Sequence, residues 1–403
     1  MKTSIIILSY NNLNLTQNCI ESIRKYTNKN NYELIVIDNN SDEETVEYLR
    51  NQDDLICIFN QENKGFAGGC NQGMKIASGD NVLLLNNDTI VTPNWLDNLL
   101  TALYSDDDIG AVGPITNYCS NYQQVSLPVN PQMDNDEFFK NFNKSDKNKW
   151  EERLRLIGFC LLIKKEVVQK IGYLDELFAL GNYEDDDYCL RIRKIGYRLL
   201  LCKDTFIFHV GSASFSKLKL EKFNKILEEN REKFINKWDI DPNQIMPIRI
   251  DFTNLVKEFK KDDLTLLYIG CSTCGTLLDI KNNLPNANLF GIEPNEKLVV
   301  NTAHFANVKI GGIEKITEFD EDFFDYIIFD LPSFSNFSLL DLNYIRLISN
   351  YTNKNGNIFI VLPNLPMYNI RHISKIIKAQ VYPKFNNIIS LVFTQEQQIE
   401  ISN

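Results

Sequence analysis

The chain has 403 residues, of which 44% are hydrophobic and 24% charged, so it can bury more than one core and is neither disordered nor fibrous. Its net charge is -11, from 42 Lys and Arg against 53 Asp and Glu, which argues against a nucleic-acid binder. Its apolar runs are far shorter than the roughly 20 residues of a membrane span, and nine scattered cysteines indicate a reducing compartment rather than a disulfide framework. We therefore expect a cytoplasmic protein of two or three domains without a transmembrane segment.

The first 90 residues alternate short apolar runs with helical patterns. The apolar runs are Thr3–Leu8, Glu33–Ile37, Leu55–Phe59 and Asn81–Leu85, and helical patterns over 15–25, over 43–50 and from Lys64 onwards separate them. Continuous apolar strands with intervening helices predict an α/β fold whose parallel sheet is covered on both faces. Ligands of such sheets bind beyond the carboxyl ends of the strands. The polar residues expected at those ends are Tyr10-Asn11-Asn12, Asp38-Asn39-Asn40, Asn60 and Asn86-Asn87-Asp88.

The remaining chain divides into a loop, a connector and a second alternating region. Residues 117–149 are rich in asparagine and weakly periodic, which predicts a mobile loop. A charged helical pattern over 216–238 predicts a connector, and Pro242 and Pro247 mark a boundary after it. A second alternation of strands and helices starts at Leu264. We therefore expect a first domain over 1–215, a helical connector over 216–250 and a second domain over 251–403.

The triplet Asn86-Asn87-Asp88 follows the fourth apolar run and is a candidate cation site. Mg²⁺ and Mn²⁺ prefer oxygen ligands and often share them with substrate phosphates. Asp88 offers a carboxylate, and the amides of Asn86 and Asn87 offer weaker neutral ligands. The triplet is also favourable turn chemistry, so turn formation alone remains an alternative. His209, one of three histidines, follows another apolar run and would complete the ligand shell, although a lone histidine at a strand end is more often structural.

Four adjacent carboxylates begin a helical pattern whose last turn is basic; they are Glu184, Asp185, Asp186 and Asp187. Acids at the start and bases at the end of a helix suit its dipole, which by itself would explain the cluster. Four carboxylates exceed that need, and crowding of like charges raises the pKa of some of them. A raised pKa suits a group that accepts a proton near neutral pH, so the cluster also predicts a general base.

Six short motifs follow one another in an order that carries a family resemblance. They are Ser4–Asn11, Val36–Ser41, Asn63–Asn71, Leu84–Asp88, Glu184–Asp187 and His209. Together they resemble the family 2 glycosyltransferases of the GT-A fold, close to the bacterial rhamnosyltransferase-like and N-acetylglucosaminyltransferase-like branch. The resemblance covers roughly residues 1–215 and implies a Rossmann-like domain that binds a nucleotide sugar.

The resemblance also implies roles for individual residues. Those that would bind the nucleotide-sugar donor are Tyr10, Asn11, Asp38, Asn40, Ser41, Lys64, Gly65, Asn71, Asn86 and Asn87. Asp88 would be the surviving carboxylate of the metal motif, and His209 a further metal or diphosphate contact. Asp185 would be the catalytic base, with Glu184 and Asp187 positioning the acceptor or the donor sugar. Because Asn86 stands where the motif often has an acid, the resemblance implies Mg²⁺ or Mn²⁺ without choosing between them.

These implied roles describe sugar transfer from an activated donor. Cleavage of the C1–O bond has oxocarbenium character and leaves a diphosphate, whose charge a cation stabilises. The acceptor hydroxyl attacks from the opposite face and loses its proton to a base, which predicts inversion at C1. We expect UDP-N-acetylglucosamine as the donor, with dTDP-rhamnose as the alternative, and a protein hydroxyl of the flagellin type or a surface glycan as the acceptor. A non-catalytic sugar-binding scaffold is a second class of function.

The second alternating region resembles a class I S-adenosylmethionine-dependent methyltransferase over about residues 255–370. A strand, a tight turn and a helix start follow one another over Leu264–Leu277, and Glu293 ends the next strand, where dinucleotide-type folds place the acid that holds ribose. Ser272 and Cys274 stand in the turn where glycine is expected, and their side chains would crowd a ligand. We expect a degenerate domain that does not bind S-adenosylmethionine. It would serve either the formation of a homodimer or acceptor binding. A bifunctional enzyme remains an alternative.

Cys271 and Cys274 also form a C-x-x-C pair between a strand and a helix, as in thioredoxin-like redox motifs. The acid that ends the following strand belongs to the nucleotide-type pattern instead, which disfavours the redox alternative. The sequence has no second cysteine pair that would complete a zinc site.

Overall fold

The computed structural model describes most of the 403-residue chain. The described residues are 1–128, 135–178, 180–211, 220–245, 248–258, 261, 263–330, 342–362, 380–383 and 389–394. The chain forms two compact units, Met1–Pro242 and Asn243–Asn403. No helix within these described ranges is long and apolar enough to cross a membrane.

A nine-stranded mixed sheet forms the centre of the N-terminal unit. Its strands are β1 (Thr3–Ser9), β2 (Tyr32–Asp38), β3 (Leu55–Phe59), β4 (Asn81–Asn86), β5 (Thr89–Ile90), β6 (Ile109–Thr116), β7 (Trp150–Arg153), β8 (Cys160–Lys164) and β9 (Arg198–His209). They lie in the order β3-β2-β1-β4-β8-β6-β9-β5, and β7 pairs with β9. The four strands expected from the apolar runs, β1 to β4, are parallel neighbours. β8 pairs antiparallel with β4, so the sheet as a whole is mixed rather than parallel.

Helices cover both faces of this sheet, as the continuous apolar runs predict. They are α1 (Leu13–Tyr26), α2 (Glu43–Arg50), α3 (Gly65–Ile76), α4 (Trp95–Leu103), α5 (Asp136–Phe142), α6 (Lys165–Ile171), α7 (Glu184–Lys194) and α8 (Leu220–Trp238). Successive residues of a strand point to opposite faces, so β1 contributes to two cores. Ile5 and Ile7 share one core with Trp95 of α4, whereas Ile6 shares the other with Tyr188 of α7.

Residues 117–149, predicted as a mobile loop, contain the helix α5. Phe139 of this helix is buried, and its ring lies 5.3 Å from that of Phe206 and 5.4 Å from that of Phe208 on β9. The loop prediction is wrong for this part, because aromatic side chains at helical spacing give α5 a face that covers the sheet. Residues 129–134 lie outside the described part of the chain.

The stretch 216–250, predicted as a connector, includes α8, and this helix belongs to the N-terminal unit. Asn230 of α8 donates from Nδ2 to the carbonyl oxygens of Phe178 and Gly181, each at 2.9 Å. The helix therefore holds the loop that precedes α7. Residues 212–219, which include the first part of the predicted helical pattern, lie outside the described residues.

Helix α3 lies close to β1 because two of its glycines face that strand. A Cβ added at Gly69 would lie 2.2 Å from Leu8 Cδ1, and one at Gly73 would lie 2.6 Å from Ile6 Cγ2. Backbone and side chains would have to move to accept either, so the two glycines set the distance between helix and sheet. The start of α3, at Gly65, is thereby held at the edge of the sheet.

A seven-stranded sheet forms the centre of the C-terminal unit. Its strands are β10 (Thr265–Ile269), β11 (Asn288–Glu293), β12 (Asn307–Ile310), β13 (Phe324–Asp330), β14 (Thr352–Leu362), β15 (Gln380–Pro383) and β16 (Ile389–Thr394). Their order is β12-β11-β10-β13-β14-β16-β15, with β16 antiparallel to both of its neighbours. The remaining helices are α9 (Pro242–Ile245), α10 (Ile250–Glu258), α11 (Gly275–Asn283) and α12 (Leu342–Ser349), and Pro247 lies outside the described residues. The strand order reverses at β10, and doubly wound sheets bind ligands at such a point.

Candidate active site

The ends of four strands bring the candidate residues to one edge of the N-terminal sheet. β2 ends at Asp38 and β4 ends at Asn86, on the two sides of β1. His209 ends β9 and pairs with Thr89, the residue after Asp88. Parallel strands end at the same edge of a sheet, so polar residues that are far apart in sequence meet here.

The loops after β1 and β2 meet above a buried carboxylate. The Asn11 N–H donates to Ser41 Oγ at 2.8 Å, while Tyr10 is 39% exposed and Asn40 is exposed with a left-handed φ of 68°. Asp38 is 1% exposed, and its Oδ2 accepts from the Ser41 N–H at 3.1 Å. Its Oδ1 has no hydrogen-bond partner in the described part of the chain. A buried acceptor without a donor costs about 1–3 kcal/mol, so a ligand N–H would bind favourably at this oxygen.

An asparagine network fixes the loop before α3. Asn39 donates from Nδ2 to Asn63 Oδ1 and to the Gly65 carbonyl oxygen, both at 3.1 Å. Its Oδ1 accepts from Asn60 Nδ2 at 3.0 Å and from the Lys64 N–H at 3.3 Å. The Lys64 side chain remains exposed at this edge. Asn39 and Asn60 each directly follow a strand, the signal that predicts both at this edge, but the family resemblance implies no individual role for either.

Asn71, expected to line the donor pocket, is buried within α3. Its Nδ2 donates to the Leu174 carbonyl oxygen and to Glu176 Oε1, both at 2.9 Å, and its Oδ1 accepts from the Leu174 N–H at 2.9 Å. Both polar atoms of the amide are used in these bonds. The contacts favour a structural role, in which Asn71 holds residues 174–176 against α3.

Asp88, Asn86 and His209 come together as the candidate cation site. His209 Nε2 lies 3.2 Å from Asp88 Oδ1 and 3.3 Å from Asn86 Nδ2. His209 Nδ1 lies 2.8 Å from the Tyr118 carbonyl oxygen, so the neutral ring carries its proton on Nδ1 and directs the Nε2 lone pair towards Asp88. The Phe159 ring stacks on the imidazole at 5.1 Å. A carbonyl that orients the ring in this way is typical of metal-binding histidines.

The distance within this pair fits a divalent cation. Ligand atoms about 2.1 Å from Mg²⁺ at a right angle lie about 3 Å apart, close to the 3.2 Å between Nε2 and Oδ1. A cation bound to His209 Nε2 would replace the hydrogen bond between this atom and Asn86 Nδ2. The Asn87 amide instead donates to Thr16 Oγ1 at 2.9 Å. The described residues contain no group of three or more His, Cys, Asp or Glu side chains arranged for a metal. A cation here would therefore take two protein ligands and complete its shell with phosphate and water.

Asp187, expected to contact a substrate, is enclosed by two cations and an indole. Its Oδ2 accepts from Arg191 Nε at 2.8 Å, and its Oδ1 accepts from Trp238 Nε1 at 2.9 Å and from Lys237 Nζ. Asp187 is 0% exposed, and both of its oxygens accept hydrogen bonds from protein donors. These contacts favour a structural role, the attachment of α8 to α7.

Glu184 and Asp186 are also buried. Asp186 Oδ1 and Arg155 Nε are 2.8 Å apart and form an ion pair. Burial raises the pKa of Asp186 to about 7 against the opposing effect of Arg155, so its carboxyl group ionises as the pH rises through that value. Burial, and then the charge of Asp185, raises the pKa of Glu184 well above its usual range. Glu184 Oε2 has no hydrogen-bond partner among the described residues.

Asp185 is half-buried and, within the described residues, forms no ion pair. Its Oδ2 accepts from the Gly158 N–H and its Oδ1 from the Asp186 N–H, each at 3.0 Å. Two main-chain donors therefore orient the carboxylate while no cation bridges to it. A positioned, accessible carboxylate is what proton transfer from a hydroxyl requires.

Two consecutive residues link this carboxylate to the candidate cation site. The Gly158 N–H donates to Asp185, and the Phe159 carbonyl oxygen accepts from the Asn86 N–H at 2.9 Å. The Phe159 ring stacks on His209. The candidate proton acceptor and the candidate cation ligands are therefore connected through one dipeptide at the same edge of the sheet.

Residues 4–172 match the family model described as Glycosyl transferase family 2. Over these residues the N-terminal unit is therefore similar to the family 2 glycosyltransferases. The acidic start of α7 and His209 lie beyond the matched residues.

Two curated relatives and one solved structure illustrate how far the similarity extends. Glycosyltransferase GlyG of Streptococcus pneumoniae serotype 4 is 23% identical over 269 residues, which are 64% of this chain and 87% of that protein. The O-antigen biosynthesis protein RfbC of Myxococcus xanthus is 25% identical over 236 residues, which are 53% of this chain but 18% of RfbC. The crystal structure of GalNAc-T7 with UDP, GalNAc and Mn²⁺ aligns with a TM-score of 0.43 and 17% sequence identity, over 52% of this chain and 44% of that one.

At the edge of the C-terminal sheet, Glu293 is engaged by main-chain donors. Its Oε2 accepts from the Ser272 N–H at 2.7 Å and its Oε1 from the Asn295 N–H at 3.0 Å, while burial raises its pKa. Ser272 and Cys274 have φ of 51° and 64°, in the left-handed region that glycine favours. The Sγ atoms of Cys271 and Cys274 are buried and 3.5 Å apart. The turn therefore keeps a glycine-like backbone with residues that are not glycine.

Proposed function

We propose that the N-terminal unit is an inverting, metal-dependent glycosyltransferase in which Asp185 accepts the proton of the acceptor hydroxyl. The environment of Asp185 carries this proposal. The residue is half-buried, two main-chain N–H groups donate to its carboxylate, and it forms no ion pair with another described residue. Its three acidic neighbours are buried, which leaves Asp185 as the member of the cluster that meets solvent. The family 2 domain supports the reaction class.

The nucleotide base would bind at Asp38 and Tyr10. Asp38 Oδ1 is an acceptor that lacks a donor among the described residues. Uracil, thymine and guanine offer a ring N–H, and adenine and cytosine offer an exocyclic N–H, so this oxygen could accept from any of these bases. The loops that carry Asn11 and Ser41 would have to part for the base, because Asp38 is 1% exposed. We propose UDP-N-acetylglucosamine as the donor, with Lys64 available to the diphosphate.

The reaction is a single displacement. Asp88 and His209 would hold Mn²⁺ or Mg²⁺, which stabilises negative charge on the departing diphosphate when it is bound. The acceptor oxygen forms a bond to C1 of the sugar while the bond between C1 and the diphosphate oxygen breaks. The acceptor proton passes to Asp185, and the nucleoside diphosphate leaves. Attack from the face opposite the leaving group inverts the configuration at C1.

For the acceptor we propose a hydroxyl of a protein of the flagellin type or of a surface glycan. The alternative is a dTDP-rhamnose-dependent rhamnosyltransferase of polysaccharide synthesis. The partial similarity to RfbC, a protein named for O-antigen biosynthesis, supports polysaccharide synthesis as this alternative has it. Both versions place the same residues around the reacting sugar.

A screen of nucleotide sugars with the full-length chain tests the proposal. Release of nucleoside diphosphate is measured with Mn²⁺, with Mg²⁺ and with EDTA. We expect release from UDP-N-acetylglucosamine that EDTA stops. Release from dTDP-rhamnose alone would favour the alternative, and release that EDTA leaves unchanged would contradict the metal dependence. No release from any donor would favour a sugar-binding scaffold.

For the C-terminal unit we propose a methyltransferase-like fold that has lost its cofactor and serves dimerisation or acceptor binding. The reversal of strand order at β10 and the acid at the end of β11 support the fold. Both oxygens of Glu293 already accept main-chain N–H groups, which supports the loss. Calorimetry with S-adenosylmethionine at millimolar concentration should show no binding to the full chain. Saturable binding that Glu293→Ala removes would favour a bifunctional enzyme instead.

A further inference from the structure

A buried ion pair lies next to the proposed proton acceptor. Arg155 Nε and Asp186 Oδ1 are 2.8 Å apart, and the two residues are 7% and 3% exposed. Asp186 follows Asp185 in the chain, and Arg155 lies three residues before Gly158, whose N–H donates to Asp185. The pair therefore joins the two chain segments that hold the proton acceptor.

Residues 155–158 run along the first turns of α7 through further contacts. The Leu156 N–H lies 3.4 Å from Cys189 Sγ, and the Cys189 thiol donates to the Leu156 carbonyl oxygen at 3.5 Å. A Cβ added at Gly158 would lie 3.4 Å from Asp185 Cβ, so the segment and the helix are in close contact. The ion pair, the thiol and the glycine together attach the segment to one face of the helix.

A buried ion pair is a poor source of stability, because the cost of desolvating two charges offsets their attraction. Apolar residues of similar volume in the same place are often neutral or stabilising. What this pair supplies is orientation and charge. The Asp186 N–H donates to Asp185 Oδ1, and the Arg155 guanidinium places a positive charge near the acidic turn.

We propose that the Arg155–Asp186 ion pair positions Asp185 for proton transfer by fixing the first turn of α7 against residues 155–158. The inference rests on the proposed function, in which Asp185 accepts the acceptor proton. Arg155 and Asp186 act through Asp185 and are positioning residues. Loss of the pair lets the Asp185 carboxylate move away from the Gly158 N–H, and a displacement of about 1 Å costs on the order of 100-fold in rate.

The main test removes both charges together, as Arg155→Met with Asp186→Leu, so that neither partner is left buried and unpaired. The substrate is UDP-N-acetylglucosamine or dTDP-rhamnose, whichever the unaltered enzyme turns over, at a pH above the value of about 7 for the Asp186 pKa. Rates are divided by the number of nucleotide-binding sites, so that misfolded chains are not counted. We expect kcat to fall by about 10–100-fold while the KM of the donor changes by less than about threefold.

Other variants keep the test decisive. Arg155→Lys retains the charge without the guanidinium geometry and should give a kcat between those of the double variant and the unaltered enzyme. If the double variant does not fold, Asp186→Asn replaces it, with an expected loss of at least about fivefold in kcat. A folded variant with unchanged kcat overturns the proposal, because loss of a merely structural pair leaves the rate per folded molecule unchanged.

Two controls show whether a negative result contradicts the proposed function or only the positioning proposal. The half-buried ion pair between Arg231 and Asp241, at 2.6 Å in the same unit, receives the same pair of substitutions and should leave kcat unchanged. Asp185→Asn is measured in the same assay. Full activity of Asp185→Asn would show that the proposed function is wrong. Loss of activity in Asp185→Asn together with full activity of the Arg155→Met, Asp186→Leu double variant would show that only the positioning proposal is wrong.

Discussion

Replacement of Asp185 by asparagine removes the proposed proton acceptor with little change of shape. General bases typically contribute about 10²–10⁴-fold to the rate, so kcat should fall by a factor in this range. The asparagine keeps one oxygen for either the Gly158 N–H or the Asp186 N–H and turns its NH₂ group towards the other. Loss of one such hydrogen bond costs about 0.5–1.5 kcal/mol. The variant should therefore fold and bind nucleotide almost as the unaltered enzyme does.

Asp187→Asn is the matched control, because it makes the same chemical change two residues further along α7. Asp187 holds Arg191, Lys237 and the Trp238 indole, so its neutralisation weakens the attachment of α8. Removal of one partner of a buried ion pair costs about 3–5 kcal/mol of stability. Because Arg191 and Lys237 are partly exposed, we expect a loss at or below the lower end of this range. Its kcat per folded molecule should stay near that of the unaltered enzyme.

Two measurements check this pair of variants. Release of nucleoside diphosphate gives kcat, and urea unfolding gives the free energy of unfolding. The two variants should show opposite patterns, with the rate lost at Asp185 and the stability lost at Asp187. The reasoning is refuted if Asp185→Asn keeps kcat within tenfold, or if Asp187→Asn loses the rate while its stability is unchanged.

Three further predictions concern Asp88 at the candidate cation site, Asn71 on α3 and Asp186 on α7. Asp88→Ala should raise the Mn²⁺ concentration for half-maximal rate by at least about tenfold, because one of two protein ligands is lost; an unchanged titration would contradict the site. Asn71→Ala should lower the free energy of unfolding by about 1–3 kcal/mol, since the Leu174 main chain loses its partners, and an unchanged urea midpoint would contradict this. From about pH 5 to pH 8 the free energy of unfolding should fall. The reason is that Asp186 holds its proton up to a pKa of about 7 in the folded chain but loses it near pH 4 in the unfolded chain. In urea titrations, Asp186→Asn should reduce this dependence on pH.

Patterns over a few residues predicted the strands of the N-terminal sheet, because buried strands consist of consecutive apolar residues. The apolar runs that give β1 to β4 lie within the strands that the structure describes, and the polar residues after them meet at one edge. Helix α5 left a similar record in Phe139 and Phe142, whose spacing fits one helical face. The abundance of asparagine around that stretch led to the prediction of a loop instead.

The roles within the acidic cluster depend on residues that are distant in sequence. Asp187 meets Lys237, fifty residues later, and Asp186 meets Arg155, which precedes it by about thirty. The four carboxylates look alike in the sequence, and only their three-dimensional partners distinguish a buried counter-ion from an accessible base. The pKa argument singled out the cluster but did not choose between its members.

The dipeptide Gly158-Phe159 has an energetic consequence for the whole reaction centre. Since its two residues contact Asp185, Asn86 and His209, a small shift at the start of β8 would, in the proposed reaction, change leaving-group stabilisation and proton removal at once. Substitutions at the two groups should then be non-additive, with a coupling energy that a double-mutant cycle measures. An enzyme built in this way adapts to a new metal or a new acceptor by concerted changes in both groups rather than by separate adjustment of each.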